Sequence, residues 1–145
     1  MGIKHLFWTC IVIVVSLFCV GHVEAEWIYV RTTPECVFYF DDAKTQVKTT
    51  STNKKMVTTW VQVSYYNGGW KEDPRVRQRC IHMYIDEANK LWIPLDMVTY
   101  DKQGKVISHT ATGYPICNFD DIHAVQDIYN AVIYYSFKEP GMNVK

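Results

Sequence analysis

A chain of 145 residues with 15 basic and 15 acidic side chains is long enough for one domain with a substantial core. Its zero formal charge excludes nucleic acid or an anionic lipid surface as the main partner, because both require a clear basic excess. Aromatic residues are 14% of the chain, tyrosine foremost, a composition suited to strands and to contact surfaces.

The chain begins like a secretory leader. Lys4 and His5 make a short basic start, LFWTCIVIVVSLFCV from Leu6 to Val20 is apolar, and Val23 and Ala25 occupy the small-residue positions of a cleavage site. The apolar run is about 15 residues, short of the roughly 20 that span a bilayer. Residues 1–25 are therefore expected to be a signal peptide; retention as an N-terminal anchor is the alternative. Phe18 precedes Cys19 where a lipoprotein signal wants a small residue. Residues 26–145 then form a single exported domain with a polar tail over 137–145, placed in the periplasm, at the cell surface or outside the cell. It has no membrane span once the leader is removed.

Cys36, Cys80 and Cys117 remain after cleavage. Export permits a disulfide, and an odd number leaves one thiol over. Every pairing is open on sequence grounds. Cys80–Cys117, which would tie a central strand to the start of a C-terminal helix, is the expected one; such a bond contributes about 2–4 kcal/mol. No CxxC pair is present, which speaks against thioredoxin-like redox chemistry.

Strand signals follow in chain order. WIYVR from Trp27 and CVFYF from Cys36 flank the turn TTPE. Lys44 to Lys55 is polar and Thr-rich, a surface loop or a frayed strand. MVTTWVQVSYY from Met56 alternates, with Val57, Thr59, Val61, Val63 and Tyr65 on one face and Trp60 on the other. Asn67 to Gly69 tolerate positive φ. VRQRCIHMYID from Val76 and KLWIPLDMVTYD from Lys90 are further strands, the second at an edge or bulged at Pro94, which cannot donate to a ladder. DKQGK is a hairpin turn, with Gly104 at the position of positive φ. Asn118 is placed as a helix N-cap, with Asp120 and Asp121 in the first turn. Ile122, Val125, Ile128, Tyr129, Val132 and Ile133 then form an apolar stripe that ends before Pro140 and Gly141. The expected fold is α+β: an antiparallel sheet of about six strands with one C-terminal helix packed on it.

No catalytic residue emerges. Ser64, Ser108 and Ser136 lack a GxSxG elbow, and Cys36 reads as structural. His82, His109 and His123 are widely spaced, without HExxH or HxH, so no metal site is assigned. Asp41–Asp42 adjoins a polar loop and is expected to be solvated. No Gly-rich phosphate loop or other cofactor motif occurs. Trp60, Tyr65, Tyr66 and Trp70 remain as a candidate contact surface, because Trp and Tyr are enriched in interface hot spots.

The order CVFYFDD, a Lys/Thr-rich stretch, MVTTWVQVSYY, YDKQGKVI and a helix containing IYNAV resembles the surface-adhesin E family of exported bacterial proteins, over residues 27–136. The resemblance implies a small antiparallel sheet with a packed helix. It also implies surface display, self-association into a homo-oligomer, and binding to host matrix proteins. The expected function is thus an exported, non-enzymatic protein-binding domain. The rivals are a periplasmic structural or stress-related envelope module, and a small-ligand binder with a cavity between helix and sheet lined by Trp60 and Tyr129.

Overall fold

The computed structural model of the chain describes residues 24–111, 115–118 and 124–138. The expected leader up to Val23, Asp120, Asp121, Ile122, His123, Pro140 and Gly141 lie outside the described residues. The strands are β1 (Trp27–Thr32), β2 (Cys36–Asp41), β3 (Gln46–Thr49), β4 (Lys55–Tyr65), β5 (Gln78–Asp86), β6 (Leu91–Tyr100), β7 (Val106–Thr110) and β8 (Cys117–Asn118), followed by helix α1 (Ala124–Phe137). They form one sheet in the order β1-β2-β4-β5-β6-β7, with β3 beside β4 and β8 beside β6. Every pairing is antiparallel. The fold is α+β, with the C-terminal helix packed on the sheet.

The alternation in β4 decides which face the helix covers. Val57, Thr59, Val61 and Val63 are each at most 1% exposed, and β4 pairs them with Ile85, Met83, Ile81 and Arg79 of β5. Phe40 of β2 sits opposite Val61 on the same face. From α1, Val125, Ile128 and Val132 close over this row and are fully buried. Each such side chain contributes about 1.5–3 kcal/mol by leaving water. Tyr129 and Ile133 pack at the margin of the same core, so the helical stripe lies as its spacing predicts. Arg31 Nη1 donates to Asp127 Oδ2 at 2.6 Å and ties β1 to the helix. Both groups are partly exposed, so the pair contributes below about 1 kcal/mol. Trp60 projects from the opposite side of β4, away from Tyr129, so no ligand cavity is shared by those two residues.

Pro94 has the consequences its missing N–H demands. Leu95 is an extra residue, bulged between the His82–Asp96 and Met83–Pro94 pairs. On its outer side β6 pairs with β8 at Leu91 and Trp92 and with β7 from Met97 to Tyr100. Ile93 to Asp96 has no strand partner there among the described residues. The Thr-rich segment becomes β3 and a turn. Asn118, expected as a helix cap, is a strand residue opposite Leu91, and the first turn it was expected to cap lies outside the described residues.

Turns are built as their residues require. Gly104 has φ +77°, and Asp101 Oδ1 accepts from the backbone N–H groups of Gln103 and Lys105, both at 2.9 Å. Gly69 has φ +67°, and a Cβ there would lie 2.2 Å from the Pro74 carbonyl oxygen. Alanine at Gly69 is therefore expected to lower stability by about 2 kcal/mol, the left-handed backbone and the clash adding together. Alanine at Gly104, where a Cβ meets open space, should cost about 1 kcal/mol. Urea unfolding of both variants checks the contrast.

The Cys80–Cys117 disulfide does not form, and none of the three thiols is joined to another. Cys80 pairs with Val98 on the face away from α1, whereas Cys117 pairs with Trp92 and packs against the core. Trp92 and Val98 are separated by about 20 Å along β6, far beyond the roughly 7 Å that a disulfide tolerates between Cα atoms. The sequence places both cysteines in or near strands but does not reveal that they occupy opposite faces and opposite ends.

Candidate functional site

The face turned away from α1 carries the unusual chemistry. Strand pairing sets Trp27 opposite Asp41, Trp60 opposite His82 and His82 opposite Asp96. Because Phe40 is level with Val61, Asp41 falls level with Trp60. Trp27, Asp41, Trp60, His82 and Asp96 thus make one row across β1, β2, β4, β5 and β6. The Trp60 and His82 rings stack at 4.9 Å between centroids and 8° between planes. His109 of β7 extends the row, its Nε2 donating to Asp96 Oδ1 at 2.8 Å. Among the described residues no helix lies over this face.

Short side chains in the middle of the face make a depression in it. Cys80 and Val98 lie between the taller rings of Trp27, Trp60 and Tyr100, and a concavity of about 240 Å³ remains. Asp41 and Lys44 supply its charges. Here the expectation that Asp41 is solvated is overturned: its side chain is 1% exposed. β2 ends at Asp41, the chain makes a single 3-10 turn over Asp42–Lys44, and β3 then rejoins the same edge of β4. That detour presses Asp41 between Trp27 and Trp60 and brings Lys44 back over it. Lys44 Nζ stands 3.7 Å from Asp41 Oδ2, on a half-exposed stem. Neither carboxylate oxygen has a hydrogen-bond partner. A buried carboxylate ordinarily accepts several.

Burial raises the Cys80 thiol, with the Gln78 amide and then Lys44 opposing, so at neutral pH it is protonated and weakly nucleophilic. Burial likewise pushes His82 below the ordinary histidine value, with Asp96 opposing. A lowered histidine means that the unfolded chain takes up the proton first as pH falls. The contribution of His82 is therefore complete above about pH 6.5 and declines as pH falls through the folded value. His82→Gln should flatten this part of the stability profile between pH 7.5 and 5.5. Parallel profiles for the two proteins would refute that assignment.

The aromatic residues singled out in the sequence do not share one patch. Trp60 alone lies on the bare face. Tyr65 is on the helix-side face, where Arg79 Nε donates to its hydroxyl at 2.7 Å. The Arg79 guanidinium also lies 4.3 Å from the Trp70 ring centroid, so Tyr65 and Trp70 hold one cation between them. Burial pushes the Tyr65 hydroxyl up to about 12, against the Arg79 charge. Tyr66 is 46% exposed at the following turn. Trp27, Lys44 and Tyr100 are not singled out by their sequence context, and Asp41 is marked there only as a solvated residue. The one available signal is register: a hairpin closed by TTPE brings Trp27 beside Asp41.

A second concavity, about 480 Å³, lies at the β6–β7 turn and carries Arg75, Arg77, Lys102 and Lys105. Its carboxylate, Asp101, is engaged by the turn's own N–H groups, and it holds no buried polar group. Among the described residues no set of three His, Cys, Asp or Glu side chains could hold a metal, and no helix is long and apolar enough to cross a membrane. Comparison of the chain with protein-family models, curated proteins and solved structures finds no match.

Proposed function

We propose that this chain is an exported, non-enzymatic binding domain that meets another protein through the sheet face its helix leaves bare. The observation that carries this reading is the row Trp27–Asp41–Trp60–His82–Asp96, aromatic and titratable side chains held across the sheet face that α1 does not cover. Antiparallel sheets with one sealed face usually expose polar residues on the other; tryptophan and tyrosine there are better suited to contact. The leader expected over residues 1–25 and the resemblance to surface adhesins favour host matrix proteins as the partner class.

The test is retention of the protein on a panel of immobilised extracellular-matrix proteins, paired with protease accessibility in intact cells. Wild type is expected to be degraded by external protease and retained on at least one matrix protein. Trp60→Ala should weaken that retention roughly tenfold, as loss of a hot-spot ring does. Full protection from protease, or retention unchanged by Trp60→Ala, would refute the reading.

A further inference from the structure

We infer that the depression around Asp41 is a receptor for an alkylammonium group, supplied by a lysine side chain of the protein that docks on the bare face. This rests on the reading that the face is the contact surface, and it adds the partner's chemistry. Asp41 is a carboxylate removed from water with both oxygens lacking a donor. Burying a charge in that condition is costly unless a hydrogen-bonding cation completes it. The rings of Trp27, Trp60 and Tyr100 border the same space, and their electron-rich faces attract cations at close range. An anion would meet the Asp41 charge, and a metal ion would find too few ligands. A lysine matches both features: its ammonium donates to the carboxylate while its methylenes lie along Val98 and the rings.

Lys44 shows that the site draws an ammonium and also why its own is a poor fit. At 3.7 Å from Asp41 Oδ2 it is too far to hydrogen-bond, and with Lys44 in place about 240 Å³ is still unfilled. Its half-exposed stem can swing into solvent without breaking a hydrogen bond to Asp41. Lys44 therefore acts as a tethered competitor that an incoming lysine displaces.

The test is an NMR titration of the full chain, following the tryptophan indole N–H signals. The titrants are Nα-acetyl-lysine methylamide, n-butylammonium chloride and n-pentanol as the neutral control. Both amines are expected to shift the Trp27 and Trp60 signals saturably and to leave Trp70 and Trp92 in place, whereas pentanol shifts none. Asp41→Asn should weaken the amine response roughly tenfold, the loss of one charge-assisted contact. Lys44→Met, on an exposed turn where folding is not at risk, should strengthen it severalfold. An equal response to pentanol, an unchanged Asp41→Asn titration, or weaker binding by Lys44→Met would each overturn the proposal. Binding of butylammonium without the lysine derivative would show a slot closed to protein side chains, and would overturn it too. Matrix retention that depends on Trp60 but survives Asp41→Asn would defeat the ammonium receptor alone. An intact amine response in a protein inert to every matrix protein would defeat only the matrix-binding reading.

Discussion

Replacing Asp41 by leucine is expected to raise the stability of the domain by about 1–4 kcal/mol, the range seen when buried ion pairs give way to well-packed apolar side chains, because Lys44, half in water, would not be left behind as a buried charge. The gain comes from the folded state. Asp41 is 1% exposed, its oxygens lack hydrogen-bond partners, and Lys44 stands at 3.7 Å with half of its side chain in water. Leucine would fill the space between Trp27 and Trp60, and Lys44 would return to solvent at little cost. The same variant should lose its response to alkylammonium ions. An increase in urea midpoint at unchanged m-value would be the expected readout. A clear decrease would mean that the carboxylate anchors the 3-10 turn, and the receptor argument would lose its premise. Stability given up at a site where a ligand completes a buried charge is a recognised compromise in binding proteins.

The residue immediately before it should behave in the opposite way. Phe40→Ala is expected to cost about 3–5 kcal/mol, from lost burial and from the cavity left behind. Phe40 is fully buried in the helix–sheet core, and its ring meets Tyr135 of α1 edge to face at 5.8 Å. Against a total stability of roughly 5–15 kcal/mol for a domain, that loss brings the fold near its threshold. Thermal or urea unfolding checks it, and a cost below about 1 kcal/mol would mean that α1 closes over the sheet without the ring. Adjacent positions of β2 thus carry opposite expected signs because they point to opposite faces.

The alternation in MVTTWVQVSYY and the stripe Val125–Ile128–Val132 were legible because each obeys a single period over a long element. Pro94 and Gly104 were legible because their backbone chemistry allows few alternatives. Asp41 was not. In sequence it is the first of two aspartates entering a polar, Thr-rich segment, and such a pair is ordinarily hydrated. Its burial depends on β2 and β3 sharing one edge of β4 with a 3-10 turn between them, an arrangement with no local signature. The same holds for the cysteines, whose spacing conveys nothing about which face or end of the sheet each occupies. Trp60 lies away from the Val57–Val63 row and Tyr65 lies with it, both as the alternation predicts, whereas Trp70, beyond the strand, is on the helix side because Arg79 lies against its ring.

The interrupted margins of the sheet have a consequence for how copies of this chain can meet. A neutral molecule has little long-range repulsion to keep its copies apart, so unpaired strands would invite growth by ladder extension. Three margins resist it differently: β1 is kinked where its register slips between Tyr29 and Arg31, β3 is four residues long and carries Lys48, and the gap in β6 holds Pro94 and the Leu95 bulge. Irregular backbone, a lysine and a proline are the devices that discourage strand addition. Ladder extension at β1, β3 and the β6 gap is thereby discouraged, which favours encounters between copies through the broad surfaces of the sheet.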